Sequence, residues 1–144
     1  MYRFRKVYPG LFVIMWMVLI FYLSHQPVTK SNNLSKGITE VIIETVEKVT
    51  PKRVFNVSRL NHILRKNAHF FAYLVLGILV SNALRSNKIY GFKNIGIALT
   101  ICVLYAISDE IHQLFVPGRG GQIKDVILDS FGAIVGVLIY NWRG

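Results

Sequence analysis

Four runs of apolar residues alternate with polar stretches along the chain: Leu11–Leu23, Ala68–Ala83, Ile95–Ile107 and Val126–Tyr140. A membrane-crossing helix needs about 20 residues, so each run spans a bilayer only if its polar flanking turn belongs to the helix. A soluble bundle would carry a polar stripe on every helix, yet the first run bears no charge on any face. The pattern therefore predicts an all-α fold, a four-helix transmembrane bundle. Its spans are expected at residues 7–24, 67–85, 93–112 and 125–142.

The segment between the first two spans, residues 25–66, follows a different pattern. Its apolar residues recur at helical spacing, with the acidic residues mostly on other faces: Ile38, Val41, Ile42, Val46 and Val49. This periodicity predicts an amphipathic helix that lies on the membrane or on the bundle and ends at Pro51. A further helix through Leu60 is expected to continue into the second span. Residues 1–144 are interpreted as one domain.

Composition supports the membrane interpretation. The chain is 53% hydrophobic and 17% charged, whereas an average soluble domain is about 25% charged. This balance excludes a disordered chain and disfavours an ordinary soluble domain. The net charge of +10 favours a protein near anionic lipid over one that binds nucleic acid. The single cysteine, Cys102, excludes an internal disulfide and a cysteine-based metal site.

Basic residues near the chain ends and in the loop after the second span predict the orientation. They are Arg3, Arg5, Lys6, Arg85, Lys88, Lys93 and Arg143. Because Lys and Arg favour the cytoplasmic side, both termini are expected in the cytoplasm of a multi-pass membrane protein. No small-x-small cleavage pattern follows the first run, so it is interpreted as an uncleaved anchor. Residues 25–66 then form an extracytoplasmic amphipathic helical segment after the first span.

The polar residues inside or beside the spans converge on one level. They lie at the start of span two, the end of span three, the next loop and the start of span four: Lys66, His69, Tyr73, Asp109, Glu110, Gln113, Arg119, Asp125 and Asp129. Successive spans run in opposite directions, so these positions share one membrane interface in either orientation. A charge at mid-span costs about 2.5–3.5 kcal/mol, and such residues are by default a functional-site hypothesis.

Structural explanations exist for several polar positions taken singly. Arg65 and Lys66 are also explained as snorkelling residues at a helix end. Gly132 and Gly136 fit a helix-packing face better than a site. The sequence contains no H-E-x-x-H, Walker A, G-x-S-x-G or G-x-G-x-x-G motif. A metal ion bound by His69, Asp109 and Asp129 is conceivable, but no spacing motif supports it, so no metal and no cofactor are predicted.

Three blocks of the sequence resemble the VanZ-like family. Lys66, His69, Phe70, Tyr73, Leu76 and Gly77 match a K-x-x-H-F-x-x-Y-x-x-L-G pattern. Ser108–Arg119 is similar to the family block S-D-E-x-x-Q-x-F-x-P-x-R, and Asp125 with Asp129–Gly132 to D-x-x-x-[ND]-x-x-G. The resemblance implies a small bacterial cell-membrane protein of a family named for teicoplanin resistance, and it brings no defined biochemical activity. Gly120-Gly121 departs from the family, where a serine is frequent.

Two functional hypotheses follow. In the favoured one, the polar residues bind an anionic lipid, an envelope lipid intermediate, a cell-wall precursor or a lipid-tailed glycopeptide antibiotic, and the chain is monomeric or oligomeric. In the alternative, a membrane-interface enzyme acts on a lipid-linked or phosphate-bearing substrate. The catalytic candidates are His69, Asp109, Glu110 and Asp129, and the ligand-binding candidates are Lys66, Tyr73, Gln113, Arg119 and Asp125. A transporter or proton channel is a third alternative, for which four short helices offer little room.

Overall fold

Four long helices make up most of the described chain. The computed structural model describes residues 4–25, 37, 40–41, 44, 57–118 and 120–142. The helices are α1 (Phe4–Ser24), α2 (Val57–Ser86), α3 (Gly91–Gln113) and α4 (Ile123–Trp142). No strand occurs within these ranges. The all-α prediction is therefore confirmed for the described residues.

The segment that follows α1 is described at a few positions. Gly37, Glu40, Val41 and Glu44 are helical and exposed. The rest of the predicted amphipathic helix lies outside the described residues. α2 begins at Val57 and continues without a break to Ser86. The helix expected before the second span is thus one helix with it, as the sequence predicts.

Two helical segments are long and apolar enough to cross a membrane, namely Ile63–Ser86 and Gly91–Gln113. Tyr8–Ser24 forms a shorter apolar helix. The sequence places a span in each of these segments and a fourth in α4. Crossing by all four helices stays a prediction.

The bundle carries its large apolar side chains on the outside. Phe12, Val18, Phe71 and Leu104 are each about three-fifths exposed, at 58%, 62%, 61% and 61%. The buried face of α3 instead carries small or polar residues at every fourth position: Asn94, Ala98, Cys102 and Ala106. This distribution, with small residues inside and bulky apolar residues outside, suits a lipid environment. Helices in lipid associate through close backbone approach, which small residues permit.

Glycines bring α2 and α4 into backbone contact, the most extensive helix contact in the bundle. A Cβ atom on Gly132 or Gly136 would collide with the carbonyl oxygen of Phe70 or Leu74, respectively. A Cβ atom on Gly77 would lie 2.6 Å from a carbonyl oxygen of α4. The interpretation of Gly132 and Gly136 as a helix-packing face is therefore confirmed.

A buried asparagine joins three segments at the end of the bundle where α2 ends and α3 begins. Asn94 Nδ2 donates to the carbonyl oxygens of Ser81 at 3.0 Å and Ile89 at 2.9 Å. Asn141 Nδ2, from α4, donates to Asn94 Oδ1 at 3.3 Å. Asn94 is 1% exposed, so its hydrogen bonds satisfy polar groups that lack contact with water.

Replacing Asn94 with alanine is expected to lower the free energy of unfolding by about 1–3 kcal/mol, because buried acceptors lose their donor. Thermal unfolding of the purified protein in detergent measures this loss. Asn87→Ala is the matched control, since Asn87 bonds one carbonyl oxygen at an exposed position. Equal unfolding temperatures for the two variants would contradict the assignment.

Candidate functional site

A polar cavity of about 180 Å³ opens where the first half of α2, the end of α3 and the start of α4 meet. We call it the polar pocket. α4 begins at this end of the bundle and α3 ends there, beside the first half of α2. Residues distant in sequence therefore face one another. Its charged and imidazole side chains are Arg65, Lys66, His69, Glu110, Asp125 and Asp129.

An ion pair and a partly buried arginine form one wall of the pocket. Lys66 Nζ lies 2.8 Å from Asp125 Oδ1, and the two side chains are 33% and 25% exposed. A pair this exposed contributes about 1 kcal/mol or less to stability, so its main effect is to set the position of α2 against α4. Arg65 Nη1 is buried and has no hydrogen-bond partner among the described residues.

A histidine and a fully buried aspartate lie deeper in the pocket. His69 Nδ1 is 3.6 Å from Asp129 Oδ2, and the side chains are 21% and 1% exposed. Neither carboxylate oxygen of Asp129 has a hydrogen-bond partner in the described part of the chain. Buried polar groups are normally hydrogen-bonded, so this carboxylate is unusual in a folded protein.

Asp109 approaches the same point from α3. Its Oδ2 accepts hydrogen bonds from Ser24 Oγ at 2.8 Å and from Gln113 Nε2 at 3.3 Å. Its Oδ1 is buried and has no hydrogen-bond partner among the described side chains and backbone. Side-chain atoms of His69, Asp109 and Asp129 all lie within 4.8 Å of one another, close enough to hold one metal ion.

Glu110 holds the loop that precedes α4. Its Oε2 accepts a hydrogen bond from the backbone N–H of Gln122 at 2.9 Å. Gly121 packs on the same turn, since a Cβ atom there would lie 2.6 Å from the Glu110 carbonyl oxygen. Of the pair Gly120-Gly121 that departs from the family pattern, Gly121 is thus required by this close approach, whereas a Cβ atom on Gly120 would meet nothing within 4 Å. The catalytic role predicted for Glu110 stays a prediction.

One predicted ligand-binding residue lies apart from the pocket wall, and another cannot be placed from the described residues. Tyr73 is fully buried in the core, and its hydroxyl has no hydrogen-bond partner within the described ranges. Its ring lies 6.1 Å from that of Tyr105, measured between centroids. Arg119 falls outside the described residues. The other seven candidates either line the pocket or, for Asp109, contact its floor.

Sequence reasoning missed three residues of this region: Ser24, Arg65 and Gln122. Arg65 was interpreted as a snorkelling side chain, although it lines the pocket. Ser24 ends α1, and only the packing of α1 beside α3 brings its hydroxyl to Asp109. Gln122 contributes its backbone N–H, a contact that no residue type would have signalled.

The charges of this region do not balance within the described residues. Four carboxylates lie in or under the pocket: Asp109, Glu110, Asp125 and Asp129. The permanent cations in its wall are Arg65 and Lys66, with His69 able to add a third charge. Such a site can hold a cation at its acidic floor and an anion beside its basic wall.

Comparison with known proteins identifies the family. A family model described as VanZ/LLP1 matches residues 10–143, nearly the whole chain. No curated protein and no solved structure matches the chain. The family match and the two long apolar helices together indicate a membrane protein. The chain belongs to the VanZ/LLP1 family.

Proposed function

We propose that this protein is a four-span protein of the bacterial cell membrane, with both termini in the cytoplasm. Its polar pocket binds the anionic, phosphate-bearing headgroup of an envelope lipid. The observation that carries the proposal is the Arg65 guanidinium, which reaches into the pocket wall with a buried nitrogen that has no partner among the described residues.

The guanidinium supports an anionic ligand because a buried, unpaired donor is costly. Leaving a buried donor without an acceptor costs about 1–3 kcal/mol, and more for a charged group. A phosphate or carboxylate supplies two acceptor oxygens that the planar guanidinium of an arginine can bind in a bidentate manner. Lys66 lies next to Arg65 and is partly exposed, so its ammonium group can contact Asp125 and a bound anion at the same time.

The depth of the pocket supports a headgroup as the ligand. The segments long and apolar enough to cross the membrane are Ile63–Ser86 in α2 and Gly91–Gln113 in α3. Arg65, Lys66 and the end of α3 therefore lie at the boundary of the hydrocarbon core, which is where lipid phosphates lie. With both termini in the cytoplasm, this boundary is the outer one.

Binding of purified full-length protein to defined amphiphiles tests the proposal. Microscale thermophoresis in detergent should show at least about tenfold tighter binding of a polyprenyl phosphate or phosphatidylglycerol than of phosphatidylcholine. The two anionic lipids separate an envelope intermediate from a bulk lipid. Teicoplanin serves as a third arm, because the family name points to lipid-tailed glycopeptides. Equal affinity for all four probes would contradict the proposal.

Arg65→Gln is expected to weaken binding of the preferred anionic lipid by about tenfold or more, because a charge-assisted hydrogen bond contributes about 1.5–3 kcal/mol. Arg85→Gln is the matched control. Arg85 lies at the other end of α2, beside the rings of Tyr90 and Tyr140. Equal losses in the two variants would show that overall positive charge, rather than the pocket, attracts the lipid.

One observation favours an enzyme as the second candidate function. His69 lies partly exposed in the pocket wall, with a buried carboxylate 3.6 Å behind its Nδ1. A histidine oriented by a carboxylate suits general acid–base chemistry on a lipid-linked phosphate. Turnover of a polyprenyl phosphate or pyrophosphate by the purified protein, lost in His69→Ala, would support it. No turnover, with wild-type cellular function in His69→Ala, would exclude it.

A further inference from the structure

We propose that the floor of the polar pocket binds one divalent first-row transition-metal ion through His69, Asp109 and Asp129. This site lies beneath the wall assigned to the anionic headgroup, and its ligands come from three different helices. The proposal goes beyond headgroup binding and stands whether or not the pocket takes a lipid.

The positions of the three side chains carry the proposal. One ligand atom from each lies within 4.8 Å of the other two. His69 Nδ1 and Asp129 Oδ2 are 3.6 Å apart. Two ligands about 2.1 Å from a tetrahedral ion lie about 3.4 Å apart, so this pair already has nearly the required spacing. Asp109 offers a ligand atom within 4.8 Å of both of them.

The hydrogen bonds leave free the atoms that a metal ion would use. Ser24 and Gln113 both donate to Asp109 Oδ2, so they fix the carboxylate and leave Oδ1 without a partner in the described chain. Outer partners of this kind orient ligands in metal sites. Asp129 is 1% exposed, and neither of its oxygens has a hydrogen-bond partner among the described residues.

The surrounding charges give the ion a second role. No lysine or arginine in the described ranges forms an ion pair with Asp109 or Asp129, and Lys66 pairs with Asp125 instead. Two carboxylates buried this close together, with one imidazole beside them, are unfavourable unless further positive charge compensates them. A divalent ion neutralises them, and it also removes the negative field that would repel a phosphate in the pocket above.

The ligand set narrows the identity of the ion. An imidazole nitrogen with two carboxylate oxygens suits Mn²⁺, Fe²⁺ or Zn²⁺. Mg²⁺ and Ca²⁺ prefer sites made of oxygen atoms alone. Tyr73 lies one turn beyond His69 on the same helix, and its buried hydroxyl has no hydrogen-bond partner in the described chain. It is placed to bond a water molecule on the ion.

Titration of the chelator-treated full-length protein with Mn²⁺ alone tests the site, with no lipid present. Electron paramagnetic resonance counts free Mn²⁺ and should show one bound ion per chain. Asp129→Asn and His69→Gln should each weaken binding by at least about tenfold, because even outer-shell changes cost about 10–100-fold. Thermal unfolding without Mn²⁺ verifies that each variant is folded. A higher midpoint with Mn²⁺ reports binding, since a bound ion stabilises the folded protein.

Two controls locate the ion. Glu44→Gln removes an exposed carboxylate and should leave Mn²⁺ affinity unchanged. His112→Gln should also leave it unchanged, although His112 Nε2 lies 3.0 Å from His25 Nδ1 in an exposed pair that could attract a metal. Loss of binding in His112→Gln, wild-type binding in Asp129→Asn, or no bound ion in folded wild-type protein would each overturn the proposal. Lipid affinity measured separately decides the headgroup proposal.

Discussion

Replacing Gly136 with leucine should remove most of the folded protein from the membrane. The α-hydrogen side of Gly136 faces the Leu74 carbonyl oxygen of α2, and even a Cβ atom would collide there. The obstacle is backbone, so no change of side-chain rotamer relieves it, and α2 and α4 must separate. Overpacking typically costs about 1–3 kcal/mol, occasionally more, and a leucine at a backbone contact belongs at or above the upper end.

The separation also dismantles the polar pocket, because α2 supplies His69 and α4 supplies Asp129. Immunoblotting of membranes and thermal unfolding in detergent measure the loss. Gly96→Leu is the matched control, since a Cβ atom at Gly96 in α3 meets nothing within 4 Å. If Gly136→Leu accumulates and unfolds like Gly96→Leu, the close contact of α2 with α4 does not exist in the protein.

Asp129→Asn should keep the protein folded while removing its function. Neither oxygen of Asp129 has a hydrogen-bond partner among the described residues, so folding gains little from the carboxylate. Removing the charge of such a buried carboxylate should leave the free energy of unfolding unchanged or raise it, when measured with chelator present. Headgroup binding should fall by about tenfold or more, because the variant loses the partner of His69 and one ligand of the proposed ion.

Asp109→Asn is the contrasting variant, because it should lower the stability of the fold whereas Asp129→Asn should not. The carboxylate of Asp109 holds Ser24 and Gln113, and a neutral amide weakens those charge-assisted bonds, so stability should fall by about 1–2 kcal/mol. Abundance, unfolding temperature and lipid affinity should be measured for both variants. Reduced abundance of Asp129→Asn with wild-type affinity per folded molecule would make Asp129 part of a structural ion network.

Both variants can also be followed in cells. Susceptibility to a lipid-tailed glycopeptide, measured beside protein abundance, separates a folding defect from a functional defect. A variant that is abundant but susceptible has lost a site residue. A variant that is scarce and susceptible has lost only the fold.

The helices and their polar ends could be predicted from sequence because each rests on local information. Apolar runs of this length have few stable alternatives to a helix in a membrane. Alternation of direction then puts the start of α2, the end of α3 and the start of α4 together. The pairs Lys66–Asp125 and His69–Asp129 meet at that end. Gly132 and Gly136, spaced four apart, signalled close packing in the same way.

Other features could not be predicted because they depend on which helix lies beside which. Asn94 looks like a polar residue near a helix start, yet it bonds two other segments of the chain. Tyr73 shares a helix face with His69, yet the packing of α3 seals it inside the core. Arg65 looks like a helix-end anchor, and only the packing of α3 and α4 beside α2 forms the pocket that it lines.

An apolar, helical chain with four of its seven acidic residues at the ends of two predicted spans is recognisable from the sequence. Periodicity and charge placement are properties of the chain, so they can be determined before it folds. Which oxygens accept hydrogen bonds follows from the packing of the helices. Ser24 and Gln113 donate hydrogen bonds to Asp109 Oδ2, whereas Asp109 Oδ1 and both oxygens of Asp129 have no hydrogen-bond partner in the described chain. Hydrogen bonding depends on distance and direction between atoms of different helices, and spacing along one helix does not specify either.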